Sequence, residues 1–138
     1  MGFFSSLFGG GGKLGEKLIE ASKSRDTEKV KNLLAEGADV NTRDKDGWTA
    51  PMHASWHGHA GVVELLLNNG ADVNARDEDG WMALMRAAGS GRVGVVELLL
   101  KNGADVSARD KDSWTALMRA TWNGHVGVWN CCSLRALI

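Results

Sequence analysis

Hydrophobic residues in this chain come in short bursts at a fixed interval, each bounded by glycine. The run GVVELLL occupies 61–67 and returns at 94–100. Val62, Val63, Leu65, Leu66 and Leu67 fall at the one-, three- and four-residue spacings of a buried helix face. A shorter helical run precedes it, with Ala50, Met52 and Ala54 near its start and Gly58 between the two runs. Gly70 follows the second run, where a left-handed residue closes a helix. The polar stretch DVNARDEDG comes next, ends in glycine and reads as a turn or hairpin. The pattern predicts a helix–turn–helix–hairpin unit whose apolar face is too large to leave bare and too small to bury alone. Copies of such a unit must stack into a solenoid.

The interval is 33 residues: it separates Gly37, Gly70 and Gly103, and likewise Trp48, Trp81 and Trp114. A unit of this length carrying G-x-T-x-L, A-x-x-x-G-H and V-V-x-L-L-L-x-x-G-A-D-V-N resembles the ankyrin repeat, over about residues 13–128. The resemblance implies an all-α solenoid of stacked helix-turn-helix units joined by β-turn or hairpin loops. Residues 1–12 are expected to form a flexible apolar and Gly-rich tail, and 13–138 the repeat domain, in units of about 13–43, 44–76, 77–109 and 110–138. The first unit is similar to an N-terminal cap, with Lys17, Lys23, Lys29 and Lys31 on its solvated side. One departure from the family pattern recurs. Its T-P-L-H becomes T49-A50-P51-M52, M82-A83-L84-M85 and T115-A116-L117-M118, so Met replaces the His that links neighbouring hairpins. A lost polar link and deformable packing are expected there. Pro51 is tolerable in a first helical turn.

The last unit breaks down. Where GVVELLL is due a third time, residues 127–133 read GVWNCCS. The codons GTG GTG GAA CTG CTG CTC with one G removed translate as V-W-N-C-C-S, which suggests a repeat shifted out of frame. The rival reading of Cys131 and Cys132 is a thiol or metal motif, but adjacent cysteines lack C-x-x-C spacing and a ring between neighbours is strained. Two free thiols in a makeshift final helix are expected.

Composition narrows the function. With 138 residues and a formal net charge of −1, the chain shows no general affinity for nucleic acid or anionic lipid. No apolar run is long enough to span a bilayer. No export signal is evident, and two adjacent cysteines make no disulfide framework, so a reducing, cytoplasmic setting is expected. The opening M-G-x-x-x-S fits N-myristoylation at Gly2, with Ser6 completing the pattern; membrane contact is expected only if Gly2 is acylated. No nucleophile–base pair, P-loop or dinucleotide fingerprint occurs, so neither an enzyme nor a cofactor is expected. His53 and His57 share a zinc-like i,i+4 spacing beside His59, but no Glu follows His53, and Arg86 and Arg119 take its place later; no metal site is expected.

The family resemblance also implies where a partner would touch: hairpin-tip residues, the residue after the tip glycine, and two late in each first helix. On this chain these are Lys45, Asp46, Trp48, Trp56 and His57, followed by Glu78, Asp79, Trp81, Gly89 and Ser90. The last unit supplies Lys111, Asp112, Trp114, Trp122 and Asn123. Five of the six Trp residues fall on this set, and Trp is the residue most enriched in binding hot spots. Trp48, Trp81 and Trp114 are expected in a row at helix spacing, about 8–10 Å. Such a row is either an exposed interaction patch or packing against neighbouring hairpins. Asp44, Asp46, Asp77, Glu78, Asp79, Asp110 and Asp112 would make the tips acidic, with Arg43, Arg76 and Arg109 one step behind. That balance favours a partner with basic groups beside apolar ones. The expected function is a non-catalytic protein–protein interaction module using a Trp-rich concave face. The alternative is a self-associating structural protein. Its uncapped last unit would meet another chain through Trp129 and Cys132, or receive an apolar N-terminus bearing Phe3, Phe4, Leu7 and Phe8.

Overall fold

The computed structural model describes residues 10–136; Gly2, Phe3, Phe4, Ser6, Leu7, Phe8 and the last two residues lie outside that range. Among the described residues eight helices follow one another in four antiparallel pairs: α1 (Gly10–Ser22) with α2 (Thr27–Ala35), α3 (Ala50–His57) with α4 (Ala60–Asn68), α5 (Ala83–Gly89) with α6 (Val93–Lys101), and α7 (Ala116–Trp122) with α8 (Val126–Ala136). No strand occurs among the described residues. First helices stack on first helices, α1 on α3, α3 on α5 and α5 on α7, and the second helices make a parallel row beside them. This is the expected solenoid. One boundary moves: α1 begins at Gly10, so Gly10–Gly12 form its first turn and not part of a loose tail.

Local chemistry starts and stops the helices. Asp26 caps α2 by accepting from the Lys29 N–H at 3.0 Å, and Thr115 caps α7 by accepting from the Met118 N–H at 3.2 Å. Met82 holds the same position before α5 and offers no side-chain cap. The core runs unbroken through the stack: Leu18, Val30, Met52, Val63, Leu66, Leu84, Met85, Val96 and Leu99 are almost fully buried. Each GVVELLL run turns its valines and one or two leucines inward, as its periodicity predicts.

Helix α8 forms in spite of the broken repeat. Val128 and Cys132 are fully buried at the positions that Val95 and Leu99 hold one unit earlier. Cys132, expected from the sequence to meet another chain, is instead a core residue of α8, four residues on from Val128 and on the same face. Its thiol is pushed up to about 11 by burial and by the neighbouring Cys131. Burial and Glu97, whose carboxylate lies 3.6 Å from its sulfur, also raise Cys131. Neither thiol is activated toward nucleophilic or redox chemistry.

The tip of each hairpin needs a left-handed residue. Gly47 and Gly80 supply it at φ 80° and 78°, whereas the third tip puts Ser113 there at φ 66°. A Cβ costs energy in this region. Ser113→Gly is therefore expected to stabilise the protein by about 0.5–1 kcal/mol, after allowing for the greater freedom of glycine in the unfolded chain. A thermal melt with a lower midpoint than wild type would contradict this.

Candidate functional site

The inner face of the stack is built by the three hairpins and the first helices α3, α5 and α7. Each hairpin is organised by one aspartate. Asp77 Oδ1 accepts from the Asp79 and Trp81 N–H groups at 2.9 Å each, and its backbone N–H donates to the Trp81 carbonyl at 2.9 Å. Asp44 and Asp110 make the same contacts with Asp46 and Trp48, and with Asp112 and Trp114. The other oxygen faces inward: Asp77 Oδ2 accepts from Arg86, Asp110 Oδ2 from Arg119, and Asp44 Oδ2 lies 2.9 Å from His53 Nε2.

Asp77 and Asp110 therefore do not belong to an acidic rim, while Asp44 is partly exposed. The side chains of Asp77 and Asp110 have no exposure at all, because their oxygens are needed inside the turn. Burial raises the Asp110 carboxyl, but the hydrogen bonds from Arg119 and from the Trp114 and Asp112 N–H groups outweigh it, so its pKa lies below the ordinary value. Its charge contributes stability above the usual carboxylate pKa, and that contribution disappears as pH falls through the depressed value. Burial lowers the His53 pKa, and the neighbouring Asp44 carboxylate only partly offsets this.

The arginines in those pairs change the picture of the tryptophan row. Arg86 Cζ lies 3.8 Å from the Trp48 ring centroid and 4.1 Å from that of Trp81. Arg119 Cζ lies 4.2 Å from Trp81 and 4.6 Å from Trp114. Trp48, Arg86, Trp81, Arg119 and Trp114 thus form one alternating stack of rings and guanidinium groups. The three hairpin tryptophans are half-buried rather than an open stripe, because arginines from the first helices occupy the gaps between them. Sequence reading noted Arg86 and Arg119 only as replacements for His53. The signal available was that each stands nine residues after its hairpin aspartate and 38 after the preceding unit's tryptophan. His53 holds the corresponding place against Trp48, 4.6 Å between ring centroids.

Around this stack lie the residues that solvent reaches. Lys45, Asp46, Glu78, Asp79, Lys111 and Asp112 are exposed at the tips, four carboxylates against two ammonium groups. Trp56 is 42% and Trp122 78% exposed, one near each end of the stack, each edge-on to its hairpin tryptophan. His57 is exposed and stacks on His59 at 5.7 Å. Among the described residues no group of three His, Cys, Asp or Glu is placed to hold a metal. Gly89 and Ser90 are partly covered, and exposed Asn123 donates to the Gly89 carbonyl at 2.9 Å. Trp129 is 45% exposed and shares a groove with Trp114 and Trp122.

Polar links between units persist despite the Met substitutions. Arg43 donates to the Arg76 carbonyl and Arg76 to the Arg109 carbonyl, the latter at 2.6 Å. Asn41 and Asn74 each bridge to the next unit, accepting from Asp72 and Asp105 N–H groups at 2.9 and 2.8 Å. The expectation of a lost polar connection is corrected: arginine and asparagine backbone bridges do that work, and the buried Met side chains fill volume beneath them.

The family model described as Ankyrin repeats (3 copies) matches residues 18–110 and 78–132, nearly the whole stack. The chain belongs to the ankyrin-repeat family. An ankyrin repeat protein of Rickettsia felis is 36% identical over 53 residues, 38% of this chain and 84% of that protein. The human mitochondrial disaggregase is 44% identical over 48 residues, 35% of this chain, and the Medicago truncatula VAPYRIN-LIKE protein 40% over 52 residues, 37% of this chain. The matches span only 7% and 11% of those two proteins, so it is their repeats that this chain resembles. Ankyrin repeats mediate protein–protein interaction, and the family is typically non-enzymatic. Among the described residues no helix is long and apolar enough to cross a membrane.

Proposed function

We propose that this ankyrin stack is a non-catalytic protein-interaction module that takes its partner on the concave inner face. The reading rests on one observation: two exposed indoles, Trp56 and Trp122, stand near opposite ends of a rigid ring–guanidinium stack beneath an acidic set of tips. Trp anchors of this kind dominate binding energy where a partner excludes water around them. Four tip carboxylates against two lysines favour a partner with basic groups beside apolar ones. Because Trp48 and Trp81 are packed against arginines, their removal would disturb the fold; the exposed positions are the ones to change.

In an affinity capture, the triple variant Trp56→Ala/Glu78→Lys/Asp79→Lys is expected to lose proteins that the wild type retains, while its melting midpoint stays within about 2 °C. Identical retained proteins would refute the reading. Exposed apolar side chains on α7 and α8, Met118, Val126 and Trp129, support a second one, pairing of the chain with itself. A sedimentation coefficient independent of protein concentration would remove it.

A further inference from the structure

Every filled gap in the stack follows one rule. The tryptophan of each hairpin is covered on its C-terminal side by an arginine of the next unit: Arg86 over Trp48 and Arg119 over Trp81. Trp114 has Arg119 against one face, 4.6 Å from the centroid, and Trp122 edge-on at 5.7 Å. On its C-terminal side it borders a groove of about 480 Å³ lined by Trp114, Leu117, Met118, Thr121, Trp122 and Trp129.

The groove exists because of its position in the stack. One unit earlier, the equivalents of Met118, Thr121 and Trp129 are Met85, Ala88 and Val96, with 1%, 0% and 0% exposure, sealed by the following helices. Here Met118 is 40% and Trp129 45% exposed. Val63 and Val96, which hold the place of Trp129 in the earlier units, are fully buried.

We propose that this groove is the next rung of the stack and takes the guanidinium of an arginine side chain from the partner. The proposal rests on the inner-face reading above and specifies the chemistry of one contact in it. Three of the six lining residues are tryptophans, and Trp is the strongest ring for cations. The lining has no formal charge, which disfavours a compact ammonium: lysine would surrender strong hydration with no carboxylate to replace it. A guanidinium is flat and weakly hydrated, and it already occupies both inner gaps at 3.8–4.6 Å. Its aliphatic stem would lie along Leu117 and Met118. The inner rungs each have a buried aspartate, and this lining has none, so a single arginine binds weakly and the rest of the partner must add to it.

The test titrates the full chain with N-acetyl-arginine methylamide, following the six Trp indole N–H signals by NMR. Lysine and norleucine analogues run in parallel. Saturable shifts are expected at Trp114, Trp122 and Trp129 and not at Trp56, with a dissociation constant on the order of millimolar. Arginine should bind about fivefold or more tightly than either analogue. Trp122→Ala/Trp129→Ala, two exposed positions whose loss should leave the circular dichroism unchanged, should weaken binding by a similar factor. Equal binding of norleucine or lysine, linear drift of all six signals, or a mass that rises with concentration while these three signals broaden would each overturn the proposal. The last result would place a second copy of the chain in the groove. Failure here while the triple variant still loses its partner leaves the inner-face reading standing; arginine binding here with no loss in the triple variant removes that reading and, with it, the assignment of the arginine to its partner.

Discussion

Replacing Asp77 with alanine is expected to destabilise the protein by about 3–5 kcal/mol, the cost of stranding a buried charge. Its side chain has no exposure, and that of Arg86 has only 11%. Three interactions go at once: two hydrogen bonds that close the hairpin, and the ion pair that neutralises a guanidinium held between two indole rings. Arg86 cannot simply turn to solvent, since Trp48 and Trp81 hold it on both sides, and its Nε already lacks a partner. At about 3 °C per kcal/mol for a chain of this size, the melting midpoint should fall by about 10–15 °C. Asp77→Asn, which retains an acceptor for the turn, should cost about half as much. Adding Arg86→Met to Asp77→Ala should recover much of the loss, because an apolar replacement removes the uncompensated charge. Asp112→Ala serves as the contrast, since that side chain is 80% exposed and its effect should stay within about 0.5 kcal/mol. Unfolding should be followed by fluorescence and circular dichroism together, because stacked repeats can unfold in parts. A cost for Asp77→Ala below about 1 kcal/mol would mean that water reaches Arg86 and the stack is looser than described.

The second large effect compares one residue type at one repeat position. Met85→Ala should cost about 2–5 kcal/mol, as a fully buried side chain leaves a cavity between α5 and α7. Met118→Ala, 33 residues later, should cost less than about 1 kcal/mol, because 40% of Met118 is exposed and the site can refill with water. Denaturant titration of the two variants measures the difference. Equal costs would show that Met118 is covered in solution, and would count against a free groove beside Trp114.

Much of the architecture was legible before any coordinates. The 33-residue interval, the two apolar runs per unit and the glycines that end them sufficed to place α3 to α7 and to predict stacking, because each rests on local spacing. The candidate site was legible in part. Positions such as Lys45, Glu78 and Lys111 came out exposed, as turn tips do. Asp77 and Asp110 looked the same in the sequence and came out buried, because nothing in a DxDG stretch says which carboxylate folds back over the turn. Cys132 looked like a stray thiol and proved to be core, because four residues, about one helical turn, on from Val128 it shares that residue's buried face.

Two kinds of information are therefore separable in this chain. Periodicity along the sequence specifies the unit, its helices and the number of times it repeats, since those depend on neighbours a few residues away. Which indoles are sandwiched and which are open depends on the unit alongside. Trp48 and Trp81 are closed by arginines 38 residues downstream, and Trp114 faces a groove, although all three occupy one position of one motif. Burial is conferred by what packs against a residue, and for these indoles the neighbour that decides it comes from the next unit.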